Sequence, residues 1–165
     1  GGTQKRYSRA YVARGEVSAA SGGGNNTGGN KQNNGGNQNN GGGPVVSLDT
    51  ATLNNKGDNL SVNLKVAQGP VNVVAVTLDS TKLAYLKEIR VNGNKVLNLK
   101  KDYPKTGTKI ATTPFTLSDG FAFFDKFAFA DARNGRGTPN MKGSDFNLRL
   151  HLEGGGEIDV TIKAP

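Results

Sequence analysis

The chain of 165 residues has no cysteine and no tryptophan, and it has one histidine and one methionine. The absence of cysteine excludes a disulfide framework and thiolate metal sites. No apolar run approaches the roughly 20 residues that a membrane-spanning helix needs. No cluster of metal-ligating residues is apparent either, and we expect neither a metal nor a cofactor.

Residues that could support catalysis are also scarce. The sequence has no nucleophile elbow and no P-loop. The alternation of its strand turns His151 outward beside Asn147 and Arg149, where we expect a solvated surface histidine. Asp125 and Asp131 flank one strand as an acid–base pair could, but such carboxylates are more typical of polar strand edges. We therefore predict that the protein is not an enzyme.

What the chain has in abundance is Gly, Asn and Gln, which make up almost all of residues 21–44, SGGGNNTGGNKQNNGGNQNNGGGP. This composition buries too little apolar surface to offset the entropy of ordering. We interpret residues 21–44 as a linker between an N-terminal arm (1–20) and a β-rich body (45–165). As a flexible coil the linker spans about 25–30 Å, and fully extended it reaches about 80 Å.

The N-terminal arm has the alternation of a β-strand, and five residues share one of its faces: Tyr7, Arg9, Tyr11, Ala13 and Val17. Neither face is cleanly apolar. Such a strand gains little by folding alone and suits the open edge of a sheet. The alternative interpretation is a disordered tail.

The net charge of +8 is concentrated toward the N-terminus, because residues 1–44 carry five basic residues and one acidic residue. A nucleic acid, an anionic surface or an acidic groove on a sister subunit would each attract such a segment. Candidate contacts for an anionic partner are Lys5, Arg6, Arg14, Lys100, Lys101 and Lys105. Nucleic acid is the less favoured partner, because the long linker adds only Lys31.

The body repeats a period-2 alternation bounded by turn residues. The stripes run over Leu60–Val66, Phe146–Leu152 and Ile158–Ile162, and Val71–Leu78 is apolar on both faces, as in a central strand. Asn92-Gly93 indicates a hairpin. These signals predict an all-β body, an immunoglobulin-like or jelly-roll β-sandwich, with a small barrel as the alternative.

Two local signals complete the body and the linker. Asp79–Leu86 is expected to form a helical turn, with Asp79 or Ser80 as its N-cap. Asn25 and Asn59 stand in glycosylation sequons, a pattern that arises by chance in a chain with this much asparagine.

The stretch VAVTLDSTKLAYLKEIRVNG, Val74–Gly93, resembles the strand–turn–strand unit of cannula- and thread-type archaeal surface filament proteins. Those proteins are secreted β-sandwich subunits that assemble by donor-strand exchange. The resemblance implies that an N-terminal strand completes the sheet of the next subunit, which makes Tyr7–Val17 the donor here. The Gly/Asn linker is long for a donor linker, so a looser exchange of arms is also open.

We therefore expect a structural subunit of an extracellular filament or surface assembly, which polymerises with identical subunits through its N-terminal arm. The chain begins with Gly1-Gly2, and we expect secretion with a cleaved signal. Two other functions are also compatible with these sequence features. One is a viral capsid or capsid-decorating protein, whose arms also reach neighbours, and the other is a carbohydrate- or surface-binding module.

Overall fold

The computed structural model describes residues 43–165, which form nine β-strands and no helix. The strands are β1 Val45–Leu53, β2 Asn59–Ala67, β3 Val71–Ser80, β4 Tyr85–Val91, β5 Asn94–Asn98, β6 Lys109–Leu117, β7 Gly120–Ala130, β8 Phe146–Leu152 and β9 Glu157–Ile162.

The strands form two antiparallel sheets that pack face to face. One sheet has the order β1-β2-β7-β4-β5 and the other has the order β6-β3-β8-β9. The pairs β2–β7, β3–β8 and β8–β9 correspond to strands B–E, C–F and F–G of the immunoglobulin arrangement. The predicted all-β sandwich is confirmed, while β4 and β5 precede β6 in the chain and depart from the immunoglobulin order of strands.

The core lies between the sheets and consists of the apolar residues that alternate along each strand, as predicted from the sequence. Leu60, Val62 and Leu64 of β2 are fully buried, as are Leu148 and Leu150 of β8. Aromatic rings link the sheets: Phe129 of β7 stacks on Phe146 of β8 at 5.9 Å between ring centroids. Phe115 of β6 meets Phe124 of β7 edge-on at 5.8 Å. The prediction that the even-numbered residues of β2, β8 and β9 point into the core is confirmed.

A β-bulge in β7 reverses the direction of its side chains halfway along the strand. Leu60 pairs with Phe127, whereas Val62 pairs with Phe124, so three steps on β7 match two on β2. The hydroxyl of Ser61 donates to the carbonyl of Asp125 inside the bulge at 2.9 Å. The bulge therefore lets Phe124 and Phe127 both point inward, where their rings stack at 5.1 Å.

The structure decides two predictions about turns, one wrong and one confirmed. The expected helical turn over Asp79–Leu86 is wrong, because β3 continues to Ser80 and β4 begins at Tyr85. The backbone N–H of Ser80 donates to the Asp79 carboxylate at 2.8 Å, which gives a local side-chain turn in place of an N-cap. The predicted Asn92-Gly93 hairpin is confirmed, with both residues at positive φ (47° and 83°) between β4 and β5.

Among residues 43–165 no apolar helix reaches the length that a bilayer crossing requires.

A charge at the centre of the interface between the sheets should be far more damaging than the same charge at the surface. Leu150 is fully buried and Leu83 is 64% exposed. We expect Leu150→Asp to lower the free energy of unfolding by about 4 kcal/mol or more, because the carboxylate is buried without a partner. Leu83→Asp should change it by less than about 0.5 kcal/mol. Urea unfolding followed by circular dichroism measures both variants, and equal losses would show that the inward face is wrongly assigned.

Candidate functional site

The N-terminal candidates lie outside the described residues: Lys5, Arg6, Tyr7, Arg9, Tyr11, Ala13, Arg14, Val17 and Asn25. The structure therefore bears on assembly through the surfaces that the body offers to such a segment. Three such surfaces are the sheet edges, the outer face of the four-stranded sheet and the outer face of the five-stranded sheet.

Each sheet ends in two edge strands, and they form two sides of the sandwich. On one side β1 lies opposite β9, and on the other side β5 lies opposite β6. Edge strands carry unpaired main-chain groups and are the usual points at which another strand is added.

The four edges differ in how well they are protected. β6 carries Lys109, Pro114 and a register shift, all of which oppose strand addition. β5 has five residues and includes Lys95. β9 has six residues, including Asp159 in an ion pair with Arg149. β1 has nine residues without lysine or proline, and its protective features are a bulge at Asp49 and the charge of Asp49 itself. β1 is therefore the longest edge without a cation.

Most of the core beneath the β1/β9 side is buried, and Leu48, Ala51 and Leu53 of β1 are partly buried against it. The inward side chains at the β1/β9 side include Val46, Ile158, Val160 and Ile162, all at most 1% exposed and part of the single core cluster of the sandwich. A groove left by a missing strand would expose such residues. An added strand would therefore pair with the main chain at the edge, and it would not complete the core.

The predicted basic loop is anchored by one aromatic residue. Lys100, Lys101 and Lys105 are exposed on the connection between β5 and β6. Tyr103 is buried within it, and its backbone N–H donates to the carbonyl of Arg133 at 3.0 Å. The Tyr103 ring packs on Gly135, where a Cβ atom would lie 2.6 Å from the ring. The structure thus places the three lysines on one ordered loop, away from the β1 edge.

His151 lies on the outer face of the four-stranded sheet, but the expectation that it is solvated is wrong. It is 7% exposed. Its Nε2 lies 2.8 Å from the hydroxyl oxygen of Thr77, and its Nδ1 lies 3.3 Å from a carboxylate oxygen of Glu157. Cross-strand pairing causes this arrangement, because His151 stands opposite Glu157 on β9 and diagonal to Thr77 on β3.

The order hydroxyl, imidazole, carboxylate is also that of a nucleophile, a general base and an orienting group. Here, however, the three side chains form a row of polar residues across β3, β8 and β9. Arg149 continues this row on the same face, where it donates two hydrogen bonds to Asp159 at 2.7 and 2.9 Å. The cavity of about 440 Å³ on this face is lined by residues near the far ends of the strands, including Asp79, Asp145 and Lys163, and does not reach Thr77 or His151. Within the described residues no group of three or more His, Asp or Glu is placed to hold a metal ion.

The outer face of the five-stranded sheet carries two exposed rings, Phe121 (66% exposed) and Phe123 (42%). The ammonium group of Lys65 lies 5.7 Å from the centre of the Phe121 ring.

Farther along β7 the same face holds a cavity of about 220 Å³ beside Asn59, the sequon residue. The side-chain amide of Asn59 donates to Asp58 at 2.9 Å. Sequence reasoning missed the exposed rings of Phe121 and Phe123, because strict alternation along β7 places them on the same side as the buried Phe127 and Phe129.

The environment of His151 predicts a specific pH dependence. Burial, followed by the positive charge of Lys109, lowers the pKa of His151, and the opposing effect of Glu157 is smaller. The unfolded chain therefore binds the proton more readily, so the free energy of unfolding should fall as the pH decreases below about 6.5 toward the folded-state pKa.

Urea unfolding between pH 8 and pH 5 should show this loss in the unmodified chain and a weaker pH dependence in His151→Gln. The ring of the single histidine should titrate below about 6.5 by NMR. Identical pH dependence in the two proteins, or a midpoint above the ordinary value, would contradict the buried assignment.

A scan against protein-family models, a search of curated proteins and a search of solved structures each found no match.

Proposed function

We propose that the chain is a structural, non-enzymatic subunit of an extracellular filament or surface assembly, in which the N-terminal arm adds a strand to the β1 edge of an identical subunit. The observation that carries the proposal is the open β1 edge, which directly follows the linker and contains no lysine or proline. The resemblance of Val74–Gly93 to surface filament proteins supports the same role.

Charge favours β1 over the edges on the other side of the sandwich. Asp49 is the only charged residue of β1, and its carboxylate lies 3.4 Å from the ammonium group of Lys65. The β5/β6 edges present Lys95 and Lys109. The arm carries Lys5, Arg6, Arg9 and Arg14. Because Asp49 is paired with Lys65, the β1 edge is close to neutral, whereas Lys109 makes the β6 edge positive, so a basic strand is repelled less at β1.

The closed core favours addition to an edge over completion of a missing strand. Val46 on β1 and Ile158 on β9 are already fully buried. The arm would therefore gain its stability from main-chain hydrogen bonds and from a few side chains. Tyr7 and Tyr11 are the best candidates for such anchors, because each has a large apolar ring and a polar tip.

The linker permits contacts between subunits. It spans about 25–30 Å as a coil, while about 80 Å is available when it is extended. It joins the body at Pro44, next to the first residue of β1. An arm could therefore also fold back on its own β1, and the experiment has to separate the two cases.

Deletion of residues 1–20 tests the proposal. The shortened chain should remain folded, because the core closes within the body, and light scattering should give the mass of a monomer while the full chain forms larger species. A synthetic peptide of residues 1–20 should bind the shortened chain without restoring large species. Assemblies of unchanged mass after the deletion would refute the role of the arm.

Matched variants at two edges test the acceptor. Thr50→Lys with Thr52→Lys places two cations on exposed positions of β1, and Thr113→Lys with Thr116→Lys does the same on β6. We expect the β1 pair to weaken peptide binding at least about tenfold, since two like charges at an interface oppose a basic strand by about 1.4 kcal/mol or more. The β6 pair should leave binding unchanged. Equal losses, or a loss with the β6 pair alone, would contradict the choice of edge.

A further inference from the structure

A single track along the outer face of the five-stranded sheet combines exposed aromatic rings with a polar cavity. Phe121 and Phe123 stand at one end of β7, and Ala128 forms part of the cavity wall toward the other end. Phe121 pairs with Lys65 and Ala128 pairs with Asn59, and the six residue steps between these partners on β2 correspond to about 20 Å. The track is therefore long enough for an extended ligand, and β7 is the central strand of its sheet.

The cavity arises from one row of paired residues across four strands. Asn59 of β2 pairs with Ala128 of β7, Ala128 pairs with Glu88 of β4, and Glu88 pairs with Asn98 of β5. The small side chain of Ala128 leaves a depression between larger polar neighbours. The cavity has a volume of about 220 Å³, and Lys87 and Lys126 also line it.

The aromatic end of the track is held rigidly. The backbone N–H of Phe123 donates to the side-chain oxygen of Asn92 at 3.0 Å, and the backbone N–H of Asn92 donates to the carbonyl of Phe123 at 2.7 Å. The backbone N–H of Gly93 donates to the carboxylate of Asp125 at 2.5 Å. The hairpin between β4 and β5 thus fixes the strand that carries both rings. Exposed apolar side chains on a rigid surface are typical of interaction sites.

The side chains that line the cavity carry equal numbers of cations and carboxylates, and Arg90 and Lys95 outside the lining both contact Glu88. Two cations, Lys87 and Lys126, and two carboxylates, Asp58 and Glu88, line the cavity. Burial alone would raise the pKa of Glu88, but a hydrogen bond from Arg90 and the charges of Arg90, Lys95 and Lys126 lower it on balance. At the aromatic end Lys65 is paired with Asp49. An anionic polymer such as a nucleic acid would need an excess of cations here, and the basic arm would need an excess of carboxylates.

We propose that this track binds a neutral glycan, with sugar rings stacked on Phe121 and Phe123 and hydroxyl groups bonded in the cavity beside Ala128. The C–H faces of pyranose rings suit exposed phenyl rings. The amides of Asn59 and Asn98 offer donors and acceptors, and the carboxylates of Asp58 and Glu88 offer acceptors, so the cavity matches vicinal hydroxyl groups. This activity is separate from assembly, because no residue of the track lies on the β1 edge.

The test uses the full chain with cellohexaose, maltohexaose and chitohexaose in solution, and with cellulose and chitin as solids. We expect at least one of these neutral glycans to bind in calorimetry or sedimentation. The variant Phe121→Ala/Phe123→Ala should bind about 5- to 150-fold more weakly, because two ring contacts of roughly 0.5–1.5 kcal/mol each are lost. Ala128→Leu, which fills the cavity, should also weaken binding. Leu83→Ala, a variant of another exposed apolar residue, should bind as the unmodified chain does.

Melting temperatures and light scattering of the variants provide the controls, and both should match the unmodified chain. The proposal fails if none of the five glycans binds or if the phenylalanine variant binds as well as the unmodified chain. It also fails if poly(dT) or polygalacturonate displaces the glycan and binds more tightly in the same place. A rise in glycan affinity after deletion of residues 1–20 would show that the arm occupies the track, and it would likewise overturn the proposal.

Discussion

The face-to-face packing of the two sheets is the constraint on which the rest of the structure depends. Phe129 against Phe146 joins β7 to β8, Phe124 against Phe115 joins β7 to β6, and the inward residues of the edge strands are part of the same core. Because Val46, Ile158, Val160 and Ile162 are already buried at the β1/β9 side, a foreign strand would not fill a gap in the core there. An added strand can therefore pair with the main chain of an edge, and other partners can use the outer face of a sheet or an exposed loop. The two proposals assign one of these surfaces each, the β1 edge to assembly and the β7 track to a glycan.

Much of the fold could be predicted because alternation reports directly on which side of a strand is buried. The stripes Leu60–Val66, Phe146–Leu152 and Ile158–Ile162 are all inward, and the Asn92-Gly93 hairpin is where its turn chemistry places it. The pairing of distant strands could not be obtained in the same way, since nothing local in the sequence specifies that β2 lies beside β7. The predicted helical N-cap at Asp79 was wrong, because the Asp79 carboxylate instead accepts a hydrogen bond from the backbone N–H of Ser80 at the end of β3.

The candidate sites show where alternation stops being informative. The bulge at Asp125–Lys126 reverses the face of β7, so Phe121 and Phe123 are exposed although they share the parity of buried Phe127. His151 does face outward, but Thr77 and Glu157 from neighbouring strands cover it, and only the registers of β3 and β9 bring them there. Open edges are visible only when the strand order is known. The arm and linker, by contrast, are predicted from composition and charge, and residues 1–42 lie outside the described part of the chain.

The central claim is that the arm of one subunit extends the sheet of another at β1. Cryo-electron microscopy of assemblies formed by the full chain tests it most directly. The account predicts an additional strand beside β1, so that the five-stranded sheet becomes arm-β1-β2-β7-β4-β5, with density that continues through the linker into a neighbouring subunit. Assemblies in which the β1 edge has no added strand, or in which the added strand belongs to the same subunit, would contradict it.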